Sequence, residues 1–249
     1  MRKSSVLGMG VLSIGIWMLI GLSTVFYTLL ICVSSLVLFP LDRQRRLAHR
    51  LATWWARSII RGVPVWRLHI SGRKNLPATP AILVSNHQSL FDIMVLFCLN
   101  CQFKWVAKAS LFAIPFLGWS MALAGYIRLV RERHGSIRQT YDEATRWLAS
   151  GVSVLFFPEG TRSRTGELGP FKNGAFKLAL KTGRPIVPIV VTGTRELLAR
   201  GSWIFRPGAD LRVAVLPAVD PAACPHADRL REAVRQRIAD QLRTGSTSS

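Results

Sequence analysis

Hydrophobic and polar positions divide the chain near residue 42. Before it, residues 4–41 form a run of 38 with no charged side chain, well beyond the ~20 that cross a bilayer as a helix. A cleaved export signal would be shorter and would end in a small-residue site, which this run lacks. Arg2 and Lys3 stand before the run and Arg43, Arg45, Arg46 and Arg50 behind it, so the positive-inside tendency pulls both ends to the cytoplasm. A membrane-embedded helical hairpin that bends near Gly21 to Thr24 satisfies both flanks; a single tilted span is the alternative. From 43 to 61, Arg43, Arg46, Arg50, Arg57 and Arg61 share one arc of a helix while Leu47, Leu51, Trp54, Trp55 and Ile59 fill another, the pattern of a basic interfacial helix. A solvated basic face on a core-packed helix is the competing reading.

Beyond Gly62, short β-rich runs alternate with helical ones, which predicts an α/β domain over 62–243. The expected architecture is a mixed, mostly seven-stranded sheet flanked by helices, preceded by membrane-anchoring helices over 1–61 and followed by a disordered polar tail over 244–249. Strands are expected at 65–70, 81–85, 103–107, 126–130, 153–157, 186–191 and 211–216, and helices at 89–99, 111–123, 136–149, 173–182 and 227–242. Ile137, Tyr141, Ala144 and Leu148 make one amphipathic stripe; Leu230, Val234, Ile238 and Leu242 make another.

Composition sharpens this picture. The 249 residues carry 33 Lys and Arg against 13 Asp and Glu, a net charge of +20, yet 49% are hydrophobic. That excludes disorder and favours a membrane enzyme facing anionic lipid over a nucleic-acid reader, which is seldom so apolar. Cys32, Cys98, Cys101 and Cys224 offer no disulfide framework. Cys98 and Cys101 lack the second pair or histidine that a metal site needs.

Candidate chemistry begins where the apolar run Ala81 to Ser85 enters Asn86-His87-Gln88-Ser89-Leu90-Phe91-Asp92. On one continuous helix His87 and Asp92 would point about 140° apart, so they meet only if the backbone changes course between them. Ser89, as an N-cap, would supply that break. Asp92 could then accept from one imidazole nitrogen and leave the other as a base. Ser89-x-x-Asp92 also fits a capping box in which His87 is a plain loop residue, and Ser89 has no nucleophile elbow around it. A second loop, Phe157-Pro158-Glu159-Gly160-Thr161-Arg162-Ser163, follows the strand at 153–157. Gly160 allows close backbone approach, Thr161 offers a hydroxyl and Arg162 a planar fork of donors. Convergence of Lys108, Arg131 and Arg162 at strand ends would build an anion site; separately, each is a solvated charge. Phe171-Lys172-Asn173-Gly174 marks a helix entrance.

From about residue 80 to 195 the chain resembles the 1-acyl-glycerol-3-phosphate acyltransferases: NHQSLFD fits the family's NHxxxxD and FPEGTRS its FPEGTRS block. Lys108 before Ile114-Pro115-Phe116-Leu117-Gly118, the run Gly125 to Arg131, and Val187-Pro188-Ile189 fit weaker blocks. Arg128 and Val130 depart from the family's usual aromatic and Asp, which bears on the acceptor more than on the chemistry. The resemblance implies acyl transfer from an acyl-CoA or acyl-carrier-protein thioester to a lysophospholipid hydroxyl, without cofactor, metal or covalent intermediate. It implies His87 as general base and Asp92 as its orienting partner, with Lys108, Arg131 and Arg162 on the acceptor phosphate, Glu159 near the glycerol, and Gly160 and Thr161 among the substrate-binding residues. Apolar residues from Leu111 to Leu123 would line an acyl groove, though ordinary core packing explains them equally well. The implied setting is the cytoplasmic face of a membrane containing anionic lipid, in a bacterium the inner membrane, with no nucleic-acid partner. An acceptor such as lyso-ornithine lipid and a non-catalytic anionic-lipid-binding protein are the alternatives.

Overall fold

The computed structural model describes residues 2–38, 41–130 and 134–246. Its strands are β1 (Arg67–Ser71), β2 (Ile82–Ser85), β3 (Phe103–Lys108), β4 (Ile127–Leu129), β5 (Ser153–Phe156), β6 (Ile186–Thr192) and β7 (Asp210–Val215). They form a seven-stranded sheet in the order β1-β7-β6-β2-β5-β3-β4. From β6 to β4 all neighbours are parallel; β7 runs antiparallel to β6, and β1 parallel to β7. The sheet is thus mixed, as the alternation of elements predicts.

The central strands are buried on both faces and alternate between two cores. Leu83, Val187, Ile189 and Val191 face a cluster with helices α1 (Arg2–Leu38), α2 (Arg46–Gly62) and α3 (Asp92–Phe97), and Met121 of α4 (Leu117–Leu123) joins it. Ile82, Val84, Ile186 and Val190 face the opposite cluster, built with α5 (His134–Ala149), α6 (Gly174–Thr182) and, beyond the short α7 (Thr194–Leu197), α8 (Ala227–Ser246). The stripes of α5 and α8 supply Ala144, Leu148, Leu230, Val234 and Ile238.

Several boundaries differ from expectation. The apolar run does not bend at Gly21 to Thr24: α1 is one unbroken helix of 37 residues. Ser23 and Thr24 donate their hydroxyls to the Ile20 carbonyl at 3.1 and 2.6 Å, which satisfies them inside the helix, and no proline interrupts it. The reversal comes after Leu38, and α2 returns along α1. Trp55 Nε1 donates to Thr24 Oγ1 at 3.1 Å, and a Cβ on Gly62 would stand 3.1 Å from Leu19. The Asp42 carboxylate accepts from the amides of Arg46 and Leu47 at 2.8 and 2.9 Å and so caps α2. The helix expected over 111–123 is split into a 3₁₀ turn, Ala109–Ala113, and α4. Pro115 has no amide to donate and holds Ile114 extended. Phe116 takes φ 63°, and Gly118 lies so close to the Phe112 carbonyl that a Cβ would meet it at 2.2 Å. The helix α8 runs through Thr244, Gly245 and Ser246 of the expected tail; 247–249 lie outside the described residues.

At the edge of the first core, the buried Lys104 ammonium donates to the Ala124 carbonyl at 2.6 Å and lies 4.6 Å from the Trp147 ring centroid. Burial lowers its pKa to about 7, with Asp42 opposing and Arg45 adding to the effect. His49 is buried between Tyr126 Oη and the Cys101 carbonyl, and burial, aided by Lys104, lowers it to about 3. Between pH 7 and the ordinary lysine value of 10.5 the unfolded chain binds the extra proton, so stability rises with pH across that window and the cost is fully present below it. The melting temperature should therefore climb from pH 7 to about pH 9, and Lys104→Met should flatten that climb. Parallel melting curves of the two proteins over this range would contradict it.

Candidate active site

The strand order decides which loops meet. The parallel strands β6, β2, β5 and β3 are consecutive in the sheet, so the segments leaving their C-terminal ends stand side by side, where open α/β sheets bind ligands. Val84 is level with Pro188 and with Phe156. This brings the turn after β2 against the loop after β5 although they lie far apart in sequence. Asn86 fixes the exit of β2: its amide donates to the Val191 carbonyl and accepts from the Val191 amide, both at 2.8 Å.

The next residues wrap around one carboxylate. Asp92 Oδ2 accepts from His87 Nδ1 at 2.7 Å and from the amides of Gln88 and Ser89 at 2.6 and 2.9 Å. Oδ1 accepts from Thr194 Oγ1 at 2.5 Å. The Asp92 side chain is wholly buried while that of His87 is 20% exposed. An ionised carboxylate only accepts, so Nδ1 carries the hydrogen and Nε2 keeps its lone pair. The expected cap is lopsided: Ser89 Oγ accepts from the Phe91 amide only at 3.4 Å, while Asp92 holds the Ser89 amide at 2.9 Å. The Ser89 hydroxyl donates to the Leu198 carbonyl at 2.9 Å, α3 starts only at Asp92, and Asp92 reaches back to hold the turn. Both roles weighed for Asp92, capping-like and orienting, are filled by one oxygen, Oδ2.

The β5 loop holds the other side. Phe157 stacks on the imidazole at 4.1 Å and 20°. Glu159 accepts from the His87 amide at 2.8 Å with Oε1 and from the Gly169 amide at 3.0 Å with Oε2. Burial raises its pKa, and these two amides oppose the rise. The Ser163 amide donates to the His87 carbonyl at 2.8 Å. Gly160 has φ 70°, and a Cβ there would meet the Lys172 side chain at 3.2 Å.

His87 stands at the junction of two cavities. One, of about 220 Å³, lies toward α1 and is walled by Trp17, Ile20, Ile31, Met94 and Met121. The other, of about 330 Å³, opens on the α5 side, with Lys108, Tyr141, Gly160 and Lys172 in its wall and, among the described residues, no acidic side chain. The structure brings Lys108 and Gly160 together with His87, as the motifs suggest. Thr161 and Arg162 lie on the following turn, where the Arg162 carbonyl accepts from Arg200 at 2.8 Å, and neither lines the cleft. Arg131 lies outside the described residues. Of the expected acyl groove, Leu111, Leu117, Ser120 and Met121 line the apolar cavity.

Two site residues escape the sequence reading. Thr194 follows Gly193, whose φ of 84° and 1.9 Å approach of any Cβ to the Asp210 carbonyl leave room only for glycine; the Gly-Thr pair after a buried strand was the available signal. Lys172 is visible in Phe171-Lys172-Asn173-Gly174 only as part of a helix entrance.

A histidine oriented by a buried carboxylate, between an apolar cavity and a cationic cleft, suits acyl transfer involving a phosphorylated lipid. The acyltransferase family model matches residues 67–192, half of the chain, and the chain belongs to this family. It is 37% identical over 225 residues to the Brassica napus chloroplastic 1-acyl-sn-glycerol-3-phosphate acyltransferase BAT2, covering 89% of this chain and 64% of that protein. The chain thus spans just under two thirds of that relative. A Borreliella burgdorferi 1-acyl-sn-glycerol-3-phosphate acyltransferase is 30% identical over 182 residues, with 72% of each protein covered. The crystal structure of the Thermotoga maritima 1-acyl-sn-glycerophosphate (LPA) acyltransferase PlsC superposes with a TM-score of 0.81 at 27% identity, covering 99% of this chain and 98% of that one.

Removing the hydroxyl that supports Asp92 should be felt at the base. Hydrogen bonds to charged groups contribute about 1.5 to 3 kcal/mol, so Thr194→Val should lower kcat about tenfold with both KM values little changed, and Thr194→Ser should restore it. Equal turnover by the valine and wild-type enzymes would remove Thr194 from the machinery.

Proposed function

We propose that the chain transfers a fatty acyl group from an acyl-CoA or acyl-carrier-protein thioester to the free hydroxyl of 1-acyl-glycerol-3-phosphate, giving phosphatidic acid. The observation that carries this reading is the position of His87 between an apolar cavity and a lysine-bearing cleft with no acidic residue among the described ones. The cavity suits an acyl chain and the cleft a phosphate. An ornithine headgroup is zwitterionic, its ammonium offsetting the attraction of its carboxylate to Lys108 and Lys172, so a net-anionic phosphate is the favoured acceptor chemistry. A non-catalytic lipid binder has no use for a buried carboxylate orienting a histidine.

His87 Nε2 removes the acceptor proton as the hydroxyl oxygen attacks the thioester carbonyl, and Asp92 steadies the imidazolium that forms. Collapse of the tetrahedral adduct breaks the carbon–sulfur bond, and His87 returns the proton to the departing thiolate. The ester and a free thiol leave; the route needs no cofactor and no acyl-enzyme. General-base help is worth about 10² to 10⁴ in rate. Lys108 and Lys172 hold the phosphate.

We place the enzyme on the cytoplasmic face of a membrane, in a bacterium the inner membrane, with α1 in one leaflet. By length and composition α1 could cross a bilayer, but the domain holds it laterally. Ser13 Oγ accepts from the Phe205 amide at 2.8 Å and Thr28 Oγ1 donates to the Phe116 carbonyl at 3.2 Å. These anchors lie about 22 Å apart along the axis, most of a hydrocarbon core of ~30 Å, so a perpendicular α1 would drag the domain into lipid. Exposed Leu22, Phe26, Leu29 and Val33 on its outer face support the flat placement.

A purified-enzyme assay against lysophosphatidic acid and lyso-ornithine lipid, with products identified by mass spectrometry, tests the assignment; preference for the ornithine lipid would overturn it. His87→Ala should lose at least about a hundredfold in kcat while folding normally; retention of a tenth of wild-type turnover would exclude the base. Lys108→Ala and Lys172→Ala should each raise the acceptor KM about tenfold or more and spare the thioester KM. A defect confined to the thioester KM would move the cleft to the donor.

A further inference from the structure

The segment between α7 and β7 does more than return the chain to the sheet. Phe205 is fully buried, its amide donates to Ser13 of α1, and its ring lies 5.2 Å from Trp17, 5.6 Å from Trp66 and 5.3 Å from Phe91. Phe91 immediately precedes Asp92, and the Leu198 carbonyl holds the Ser89 hydroxyl. The loop is therefore rooted both in the apolar helix and in the catalytic turn. Trp203 at its tip is fixed by the backbone: its carbonyl accepts from Trp17 Nε1 at 2.7 Å, while its own ring is left outside, 51% exposed.

The charges around that ring are of one sign. Between Leu197 and Ala209 the sequence carries Arg200 and Arg206 and no acidic residue. The guanidinium of Arg200 donates to a neutral carbonyl, that of Arg162, and has no acidic partner among the described residues. Arg206 has no acidic partner among the described residues, and Asp210 beyond it lies near His69 and Arg212 at 4.0 and 3.9 Å. An indole between arginines, continuous with the exposed Ile14, Trp17 and Met18 of α1, matches the zone where acyl chains meet anionic headgroups.

We propose that the Arg200–Arg206 loop is a bilayer contact in its own right, fitted to anionic phospholipid headgroups and distinct from the two N-terminal helices. The inference rests on the reading that α1 lies in the bilayer. An acidic carrier protein could use the arginines, but an outward indole joined to an apolar helix face favours lipid. Docking this loop fixes the depth of the His87 turn, because Phe205 and Leu198 tie the two together.

The test uses the full chain with phosphatidylcholine vesicles, alone or mixed with phosphatidylglycerol. Each basic residue near an anionic surface contributes about 1 kcal/mol, so Arg206→Ala should weaken binding to the mixed vesicles about fivefold and leave pure phosphatidylcholine unaffected. Trp203→Glu should weaken both, yet keep wild-type turnover on short-chain substrates in detergent. A polarity-sensitive dye attached through Trp203→Cys, or through Leu22→Cys, in a background with Cys32, Cys98, Cys101 and Cys224 replaced, separates the two claims. Blue shifts at both positions support the proposal. A shift at Leu22 alone, with Arg206→Ala silent, overturns the loop and spares α1; a shift at neither overturns the placement of α1 as well. Unchanged vesicle affinity with a raised KM for acyl-carrier protein but not for acyl-CoA would give the loop to the carrier and refute a lipid role.

Discussion

A carboxylate with no exposed surface must find donors for both oxygens, or its burial would cost several kcal/mol. Asp92 finds them in the Gln88 and Ser89 amides, the Thr194 hydroxyl and the His87 ring. To supply two amides the backbone must curl around the carboxylate before α3 can begin. To supply Thr194, β6 must end beside β2 and turn sharply at Gly193. The imidazole is the donor left facing the cavities, and satisfying the carboxylate fixes its orientation. Glu159 repeats the device from the opposite side, gripping the backbone of His87 where Asp92 grips the ring.

The sheet separates the two chemistries that this histidine must join. Its strands carry apolar side chains to both faces, but the elements covering them differ. Toward α1 the cover is almost wholly apolar; toward α5 and α6 it ends in lysines at the rim. A molecule with a greasy end and a charged end can settle both only by passing the strand ends, where His87 stands. Phe157, stacked on the ring and shared by both cavities, keeps the passage narrow.

The local parts of this arrangement were legible in the sequence and the distant parts were not. His87 and Asp92 are close along the chain, and the clash of their spacing with a helix signals a turn. That FPEGTRS lies beside them follows only from β5 entering the sheet next to β2, a register that hydrophobic pattern leaves open. Thr194 belongs to a third strand end, and no periodicity announces that a hydroxyl there meets a carboxylate from another segment. The helix signals erred where two rules compete. Gly21 to Thr24 looks like a break by composition, yet hydroxyl donation to Ile20 absorbs the polarity without one. Pro115 lies inside an apolar stretch long enough for a helix, and its missing amide prevails.

One wall of the apolar cavity belongs to α1, through Trp17, Ile20, Thr24, Tyr27, Thr28 and Ile31. In the reaction proposed above, water is the competing nucleophile for a thioester held at His87, and a base able to activate a lipid hydroxyl would activate water equally well. On the proposed reaction, α1 is therefore part of what favours transfer to a lipid over hydrolysis of the thioester. Detaching it would uncover the carbonyl to solvent and spend the activated acyl group without making a lipid.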